Sequence, residues 1–97
     1  MMLTWVLYDI AKDRARDKAA KACLQAGLYR VQKSVFLGTL DESRRDELAL
    51  VLGGLIDQEQ DSVYIFPMCR PDFSKVNLLG QAFDQDLVCD EVRALLI

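Results

Sequence analysis

The chain has 97 residues, of which 52% are hydrophobic and 28% charged, and its formal net charge is -3. This length and composition are typical of one folded globular domain, here residues 1–97, and they exclude a disordered chain. The longest apolar run, residues 48–56, is about half of the ~20 residues that a membrane-spanning helix needs, and no secretory signal pattern follows Met1. We therefore expect a cytoplasmic protein without membrane contact.

The residue types restrict the chemistry. Histidine is absent, which excludes a catalytic triad with an imidazole base and a zinc site of the usual His/Cys kind. The three cysteines, Cys23, Cys69 and Cys89, form no CxxC pair, so we expect reduced and mostly buried thiols. Any metal would be held by oxygen ligands, which suit magnesium, manganese or calcium.

Charge is divided unevenly along the chain. Residues 1–40 carry seven Lys and Arg against three Asp, whereas residues 41–97 carry five against twelve acidic side chains. The N-terminal part can therefore bind phosphate even though the whole chain is acidic. A solvated helix face is the alternative explanation for four of these cations, Lys12, Arg14, Lys18 and Lys21.

The first half of the chain predicts a strand, a helix and a second β segment. Leu3–Tyr8 is nearly apolar, which is typical of a central strand. Alanine and cysteine then recur at spacings of three and four up to residue 26, and Gly27 ends this predicted helix. β character returns over residues 28–37 with a break near Gln32 and Lys33, which predicts two short strands or one bent strand.

The second half predicts a turn, a helix and a last strand. Residues 38–41 are predicted to turn, with Asp41 capping the helix that follows. The apolar side chains of that helix recur at i, i+3, i+4 and i+7: Leu48, Val51, Leu52 and Leu55. The charged connector 57–61 leads to an apolar strand over residues 62–68, which has the composition of a central strand although Pro67 restricts its pairing.

The element order β-α-β-β-α-β predicts an α+β, ferredoxin-like fold with an antiparallel sheet and both helices on one face. Residues 1–68 complete this core, and residues 69–97 are too apolar to be a free tail. The sheet face without helices would be bare, which is typical of an interface. We therefore expect a homodimer, packed sheet to sheet, with an extra C-terminal strand from residues 69–97 crossing to the partner.

Three segments carry a family resemblance: YDI at residues 8–10, GLYRVQKSVFLG at residues 27–38 and DSVYI at residues 61–65. Together with the basic helix after the first segment and the acidic helix before the third, they resemble the small CRISPR-associated Cas2 (Cas-two) proteins from residue 3 to about residue 68. The resemblance implies a ferredoxin-like homodimer whose last strand crosses to the other subunit.

The resemblance also implies two activities. One is a CRISPR adaptation scaffold that binds RNA or DNA and joins Cas1 (Cas-one) integrase dimers for spacer insertion. The other is a metal-dependent endonuclease that hydrolyses phosphodiester bonds in single-stranded RNA or double-stranded DNA. We rank adaptation first, because one carboxylate per subunit without a general base is a poor catalytic set. A small-ligand regulatory domain is a third interpretation, but it lacks a glycine-rich loop.

The resemblance implies roles for particular residues. Asp9 would bind Mg²⁺ or Mn²⁺, with Tyr8 beside it in the catalytic set. Arg16 and Arg30 would contact phosphate, and Phe36 would lie close to the site. Four further residues complete the expected nucleic-acid-binding set: Arg14, Lys18, Lys33 and Ser34.

Each of these side chains also has an ordinary structural interpretation. Two Asp9 carboxylates facing each other across a dimer axis would raise each other's pKa unless a cation lay between them, and bound magnesium could then activate water. Alternatively, Asp9 caps the following helix. Tyr8 and Phe36 can be core residues, Arg30 can form an ion pair, and Ser34 can bond the adjacent turn.

Overall fold

The computed structural model describes residues 2–80 of the chain. Its elements are β1 (Met2–Asp9), α1 (Asp13–Gln25), β2 (Tyr29–Gln32), β3 (Val35–Leu40), α2 (Glu42–Leu55), β4 (Ser62–Met68) and α3 (Arg70–Phe73). The first six confirm the predicted α+β order, including the two short strands around residues 33 and 34. None of the helices in this range is long and apolar enough to cross a membrane. The expected strand to a dimer partner, as far as it involves residues 81–97, lies outside the described residues.

The four strands form one antiparallel sheet in the order β2-β3-β1-β4. β1 is central, as its apolar sequence predicts, and its Leu7 pairs with Val35 of β3 and Tyr64 of β4. Within residues 2–80, β4 pairs with β1 alone, so the prediction that β4 is central is wrong for this part of the chain. Pro67 fits such an edge because proline has no amide hydrogen to donate to a second neighbour.

Both helices cover the same face of the sheet. Their buried residues pack against side chains of the two middle strands: Val6, Tyr8, Phe36 and Leu40 from the sheet, and Ala19, Ala20, Cys23, Leu48 and Leu52 from the helices. The small residues of α1 allow it to lie close to the sheet. Gly27, at φ +93, ends α1 as predicted. Of the apolar side chains that recur along α2, Leu48 and Leu52 are buried, whereas Val51 is 49% exposed.

The opposite face carries a second apolar cluster around Trp5, and it is not bare as predicted. α3 folds onto this face and places Phe73 against Trp5, with ring centroids 5.8 Å apart. Phe66 of β4 stacks on the same indole at 6.3 Å. Among the described residues, this face is most open at the end near Asp9, where Tyr64 is 62% exposed compared with 38% for Phe66. The described part of the 69–97 segment therefore docks onto the face that we expected to be free.

Gly38 lies inside a strand rather than in a turn. The turn predicted for residues 38–41 is wrong over its first three positions, because β3 continues to Leu40. The glycine is needed because Leu28 crosses the strand there: a Cβ at residue 38 would lie 2.8 Å from Leu28 Cδ2 and 3.1 Å from its Cα. The predicted cap at Asp41 is confirmed, since its carboxylate accepts a 2.8 Å hydrogen bond from the Arg44 amide.

Candidate nucleic-acid interface

A cleft of about 270 Å³ lies where the end of β1, the first half of α1 and the β2–β3 turn meet. Six residues line it, and five of them were expected at the site from the sequence: Tyr8, Arg16, Asp17, Arg30, Lys33 and Ser34. The exception is Asp17. The fold therefore brings Arg16 to one small opening with Arg30 and Lys33, which lie 14 and 17 positions away in the chain.

Arg30 is held in place by the backbone of the turn. Its Nε and Nη2 donate hydrogen bonds of 3.1 and 2.7 Å to the carbonyl of Lys33. A shift in strand register between Arg30 and Gln32 accompanies this arrangement. The guanidinium lies over the ring of Phe36, with Cζ 5.5 Å from the ring centroid. The ion pair considered for Arg30 is thus replaced by backbone contacts, which leave further N–H groups to bind an anion.

Tyr8 and Phe36 form the buried floor beneath this arginine. Their rings stack with centroids 6.0 Å apart, and Phe36 is completely buried. The Tyr8 amide donates to the carbonyl of Ser34 at 3.1 Å, and its hydroxyl lies 3.5 Å from the carbonyl of Lys33. Burial raises the pKa of Tyr8, and nearby Arg30 opposes that rise. The phenol therefore stays protonated at neutral pH, and Phe36 supports the cleft without surface to stack on a base.

The basic residues of α1 divide between two places. Arg16 lines the cleft and forms an ion pair with Asp13. Arg14 and Lys18 line a separate groove of about 260 Å³, together with Lys12, Ala15 and the end of α2. Residues 14 and 18 share a helix face because they are four positions apart, whereas residue 16 lies roughly 200° away from residue 14 around the axis.

Asp9 lies apart from the cleft. It is the exposed last residue of β1, opposite Ser62, and strand alternation places it on the sheet face away from Tyr8. The helix cap considered for it is absent: α1 begins after Lys12 without any side-chain cap, and within residues 2–80 the Asp9 carboxylate has no hydrogen-bond partner. The structure therefore does not bring Asp9 and Tyr8 together.

The comparisons with known proteins agree on one family. The family model described as CRISPR associated protein Cas2 matches residues 1–76. The chain belongs to the Cas2 family. A CRISPR-associated endoribonuclease Cas2 from Desulforudis audaxviator is 41% identical over 71 residues, which are 73% of this chain and 67% of the relative. A CRISPR-associated endonuclease Cas2 from Halalkalibacterium halodurans is 35% identical over 91 residues, covering 89% and 94%.

Solved structures show the same fold. The Cas2 crystal structure from Streptococcus pyogenes matches with a TM-score of 0.67 and 26% identity, covering 81% of this chain and all of that one. A hypothetical protein from Thermus thermophilus matches with a TM-score of 0.63 and 37% identity, covering 70% and 82%. The ferredoxin-like fold of this Cas2 chain is therefore shared with proteins solved by crystallography.

Besides Asp17, sequence reasoning missed the role of Asp61, which directly precedes Ser62, the strand partner of Asp9. Its two carboxylate oxygens accept hydrogen bonds from the amides of Ala11 and Asp57, each at 2.9 Å. These bonds, first from Asp57 and then from Ala11, hold the pKa of Asp61 below its ordinary value. Asp61 thereby joins the segment after Asp9 to the connector before β4. No local pattern indicates the contact, because Ala11 lies 50 positions away.

Proposed function

We propose that this chain is a CRISPR adaptation protein that binds nucleic acid through the cleft, forms a homodimer and joins the Cas1 integrase for spacer insertion. One observation carries the binding proposal: Arg30 is fixed by the Lys33 carbonyl and the Phe36 ring beside Arg16. A positioned guanidinium binds phosphate with less loss of side-chain freedom than a mobile one. Family membership and the sequence resemblance support assembly with Cas1.

The cleft offers several kinds of phosphate contact. Arg30 and Arg16 can each donate paired N–H groups to a phosphate, while Lys33 adds a point charge and Ser34 a hydroxyl. Backbone phosphates are present in every nucleic acid, so such contacts give affinity that depends on charge and weakly on sequence. This property suits a protein that must hold fragments of unrelated sequence.

The open end of the helix-free sheet face supports the homodimer. Tyr64 is 62% exposed there, and two residues in the same row of the sheet, Leu7 of β1 and Val35 of β3, are only partly buried. Apolar side chains gathered on a sheet face are typical of a protein–protein contact. Strand alternation places Asp9 on this face as well, so a second copy packed there would lie close to Asp9. A cytoplasmic location is also proposed, in agreement with the free thiols of Cys23 and Cys69.

The salt dependence of binding tests the cleft. Each phosphate contact removed should flatten the slope of log affinity against log salt by about 1. We expect this change for Arg16→Ala and for Arg30→Ala, measured with a labelled oligonucleotide in EDTA. Arg44→Ala is the matched control, because this exposed arginine lies on α2 outside the cleft. Unchanged slopes in both cleft variants would refute the proposal.

Endonuclease activity is a second candidate function. It is favoured by the carboxylate of Asp9, which is exposed and does not cap α1. Magnesium is commonly held by one or two carboxylates with water completing its shell. Among the described residues, no group of three or more His, Cys, Asp or Glu could hold a metal. Within residues 2–80, Asp9 therefore has no three-ligand cluster around it, and in this candidate function a second copy supplies a further carboxylate. Bound Mg²⁺ or Mn²⁺ would supply Lewis acidity, and Asp9 would hold it.

Cleavage assays distinguish this candidate from binding alone. Labelled single-stranded RNA and duplex DNA are incubated with wild type and with Asp9→Asn, in magnesium and in EDTA. Asp46→Asn makes the same charge change at an exposed position of α2 and is the control. Cleavage that needs both Asp9 and metal supports the nuclease. If the Asp9 variant cuts as well as wild type, the nuclease assignment is wrong, whereas the binding proposal is unaffected.

A further inference from the structure

Two openings lie along the seam between α1 and α2. The larger, of about 580 Å³, is lined mostly by apolar side chains from the end of α1 and the middle of α2, among them Ala22, Ala26, Leu48 and Val51. The smaller, of about 260 Å³, is the groove at the start of α1 that contains Lys12, Arg14 and Lys18. Residues 14, 18 and 22 are spaced by four and therefore share one face of α1. The two openings are thus the apolar end and the basic end of one helix seam.

The apolar end of the helix seam is open among the described residues. Val51 is half-exposed there, and Ala22 and Ala26 are only partly buried. A chain of phosphates would satisfy the cations of the basic end and leave the apolar end uncovered. A groove that is apolar along one part and charged along another fits an amphipathic segment of protein. The helix seam therefore indicates an occupant with both acidic and apolar side chains.

Residues 84–97 of this chain have that composition. Their first eight positions carry no cation and four acidic side chains: Asp84, Asp86, Asp90 and Glu91. Four apolar residues then recur at i, i+4, i+7 and i+8, the spacing of one helix face: Val88, Val92, Leu95 and Leu96. A helix of this length would extend ~21 Å, close to the ~18 Å between residues 14 and 26 of α1. The segment also lies beyond residues 1–76, the part of the chain that the family model matches.

The position of β4 shows how the segment can reach the helix seam. Within residues 2–80, β4 pairs with β1 alone, so its other edge can accept a strand from a second copy. α2 packs over this side of the sheet, since Leu52 lies in one cluster with Val63 and Ile65 of β4. A crossing strand that ends before residue 84 would leave the residues that follow it beside α2. In the proposed homodimer, the segment of one copy is therefore within reach of the helix seam of the other.

We propose that residues 84–97 of one copy dock as an amphipathic helix in the helix seam of the partner copy, with their acidic side chains at the basic end and their apolar side chains at the apolar end. The inference rests on the homodimer of the proposed function. The sheet faces still form the dimer, and the docked segments add a second contact. Docking neutralises the groove of Arg14 and Lys18, so the cleft with Arg16 and Arg30 stays the exposed cationic surface for phosphate.

Crosslinking between engineered cysteines tests the docking in the 97-residue chain. Val51→Cys and Leu95→Cys are combined in a Cys69→Ser, Cys89→Ser background and treated with a short bismaleimide, which tolerates a small shift of register. We expect a covalent dimer on a denaturing gel, formed roughly tenfold faster than with Asp46→Cys in place of Val51→Cys, because docking raises the local concentration of the two thiols. Residue 46 is exposed on α2 and lines neither opening. Each single-cysteine variant should give no such dimer.

Charge reversal separates specific docking from chance proximity. Arg14→Glu with Lys18→Glu should slow the crosslinking roughly fivefold, as expected for the loss of two exposed ion pairs. Asp84→Lys with Glu91→Lys should slow it equally, and all four changes together should restore the original rate. A rate that neither pair of changes alters would overturn the docking.

Sedimentation equilibrium of the protein without crosslinker distinguishes the two ways in which the inference can fail. A dimer that gives no crosslink between residues 51 and 95, or a crosslink within one chain only, overturns the docking and leaves the proposed homodimer in place. A monomer at every concentration overturns the homodimer and the docking together.

Discussion

Arg30 lies over the face of Phe36, with Cζ 5.5 Å from the centroid of a ring that is completely buried. One side of the guanidinium therefore faces the aromatic ring while two of its N–H groups donate to the Lys33 carbonyl. The buried ring of Phe36 and the guanidinium of Arg30 are thus coupled, because the position of the ring in the core determines the orientation of the guanidinium. This coupling predicts that core substitutions differ in their effect on binding, according to whether they touch Arg30.

Phe36→Leu tests this coupling. We expect the free energy of unfolding to fall by about 1–2 kcal/mol, from lost buried volume and a lost cation–π contact. Nucleic-acid affinity should also fall, because Arg30 loses the surface that orients it. Leu40→Val is the control, since Leu40 is buried in the same cluster but lies at the opposite end of β3 from Phe36, the strand partner of Arg30. Urea unfolding and oligonucleotide binding are measured on both variants, and equal losses of affinity would contradict the coupling.

Asp61→Asn should lower stability in a pH-dependent way. Hydrogen bonds from the amides of Asp57 and Ala11 lower the pKa of Asp61 below its ordinary value of 3.8. A carboxyl whose pKa is lower in the folded state stabilises the fold fully above its unfolded pKa, and this contribution is lost as the pH falls through the folded value. The difference in the free energy of unfolding between wild type and Asp61→Asn should therefore be largest near neutral pH. It should shrink towards zero as the pH falls below about 4.

Urea unfolding of both proteins between neutral pH and about pH 3 measures this difference. Asp46→Asn, an exposed acid on α2, controls for the general effect of removing one charge. A difference that stays constant over the whole range would show that the ionised form of Asp61 does not make the contacts described.

Local patterns predicted the elements of this fold because their causes are local. The alanine period of α1, the stop at Gly27 and the cap at Asp41 each depend on residues within a few positions of one another. The gathering of Arg16 with Arg30 required the family resemblance, because the α1 and β2–β3 segments meet only in the folded chain. Once α1 is predicted, helix spacing alone separates residues 14 and 18 from residue 16.

The wrong predictions have causes that lie far along the chain. Gly38 is a typical turn residue, yet it is required here by the approach of Leu28 from another segment. β4 is as apolar as a central strand because one of its faces lies under the helices and the other contacts Trp5. The hydrogen bond from the Ala11 amide to Asp61 joins two connectors that are 50 positions apart, so no local sequence pattern indicates it. Tertiary contacts decide all three cases.

Gly38→Ala should destabilise the protein by about 1–3 kcal/mol, since the added methyl group must displace Leu28. The contact of 3.1 Å with the Leu28 Cα involves backbone, which moves less easily than the side chain. Gly53→Ala is the control, because a Cβ there meets nothing within 4 Å, and alanine favours the helix by up to about 1 kcal/mol. Thermal unfolding measures both, and a neutral Gly38→Ala would show that Leu28 does not approach residue 38 so closely.

The two described cysteines should differ in reactivity. Burial raises the pKa of Cys23 to about 12 and leaves its thiol protonated and inaccessible, whereas Cys69 is exposed. In a Cys89→Ser background, a thiol reagent such as DTNB at pH 8 should modify one cysteine per chain quickly and the second only as the protein unfolds. Cys69→Ser should remove the fast phase. Rapid reaction of Cys23 in the native protein would contradict its place in the core.

Tyr64→Glu should shift the protein from dimer to monomer if the open end of the helix-free face is the interface. The side chain is 62% exposed in the single chain, so a charge there should cost the monomer little, but it would be desolvated between two sheets. Leu50→Glu is the matched control: Leu50 is 79% exposed on α2, so its substitution tests whether the helix face contributes instead. Sedimentation equilibrium over a range of concentrations gives both dissociation constants. A dimer that survives Tyr64→Glu and dissociates in Leu50→Glu would move the interface to the helices, and Asp9 would then lie far from the second copy.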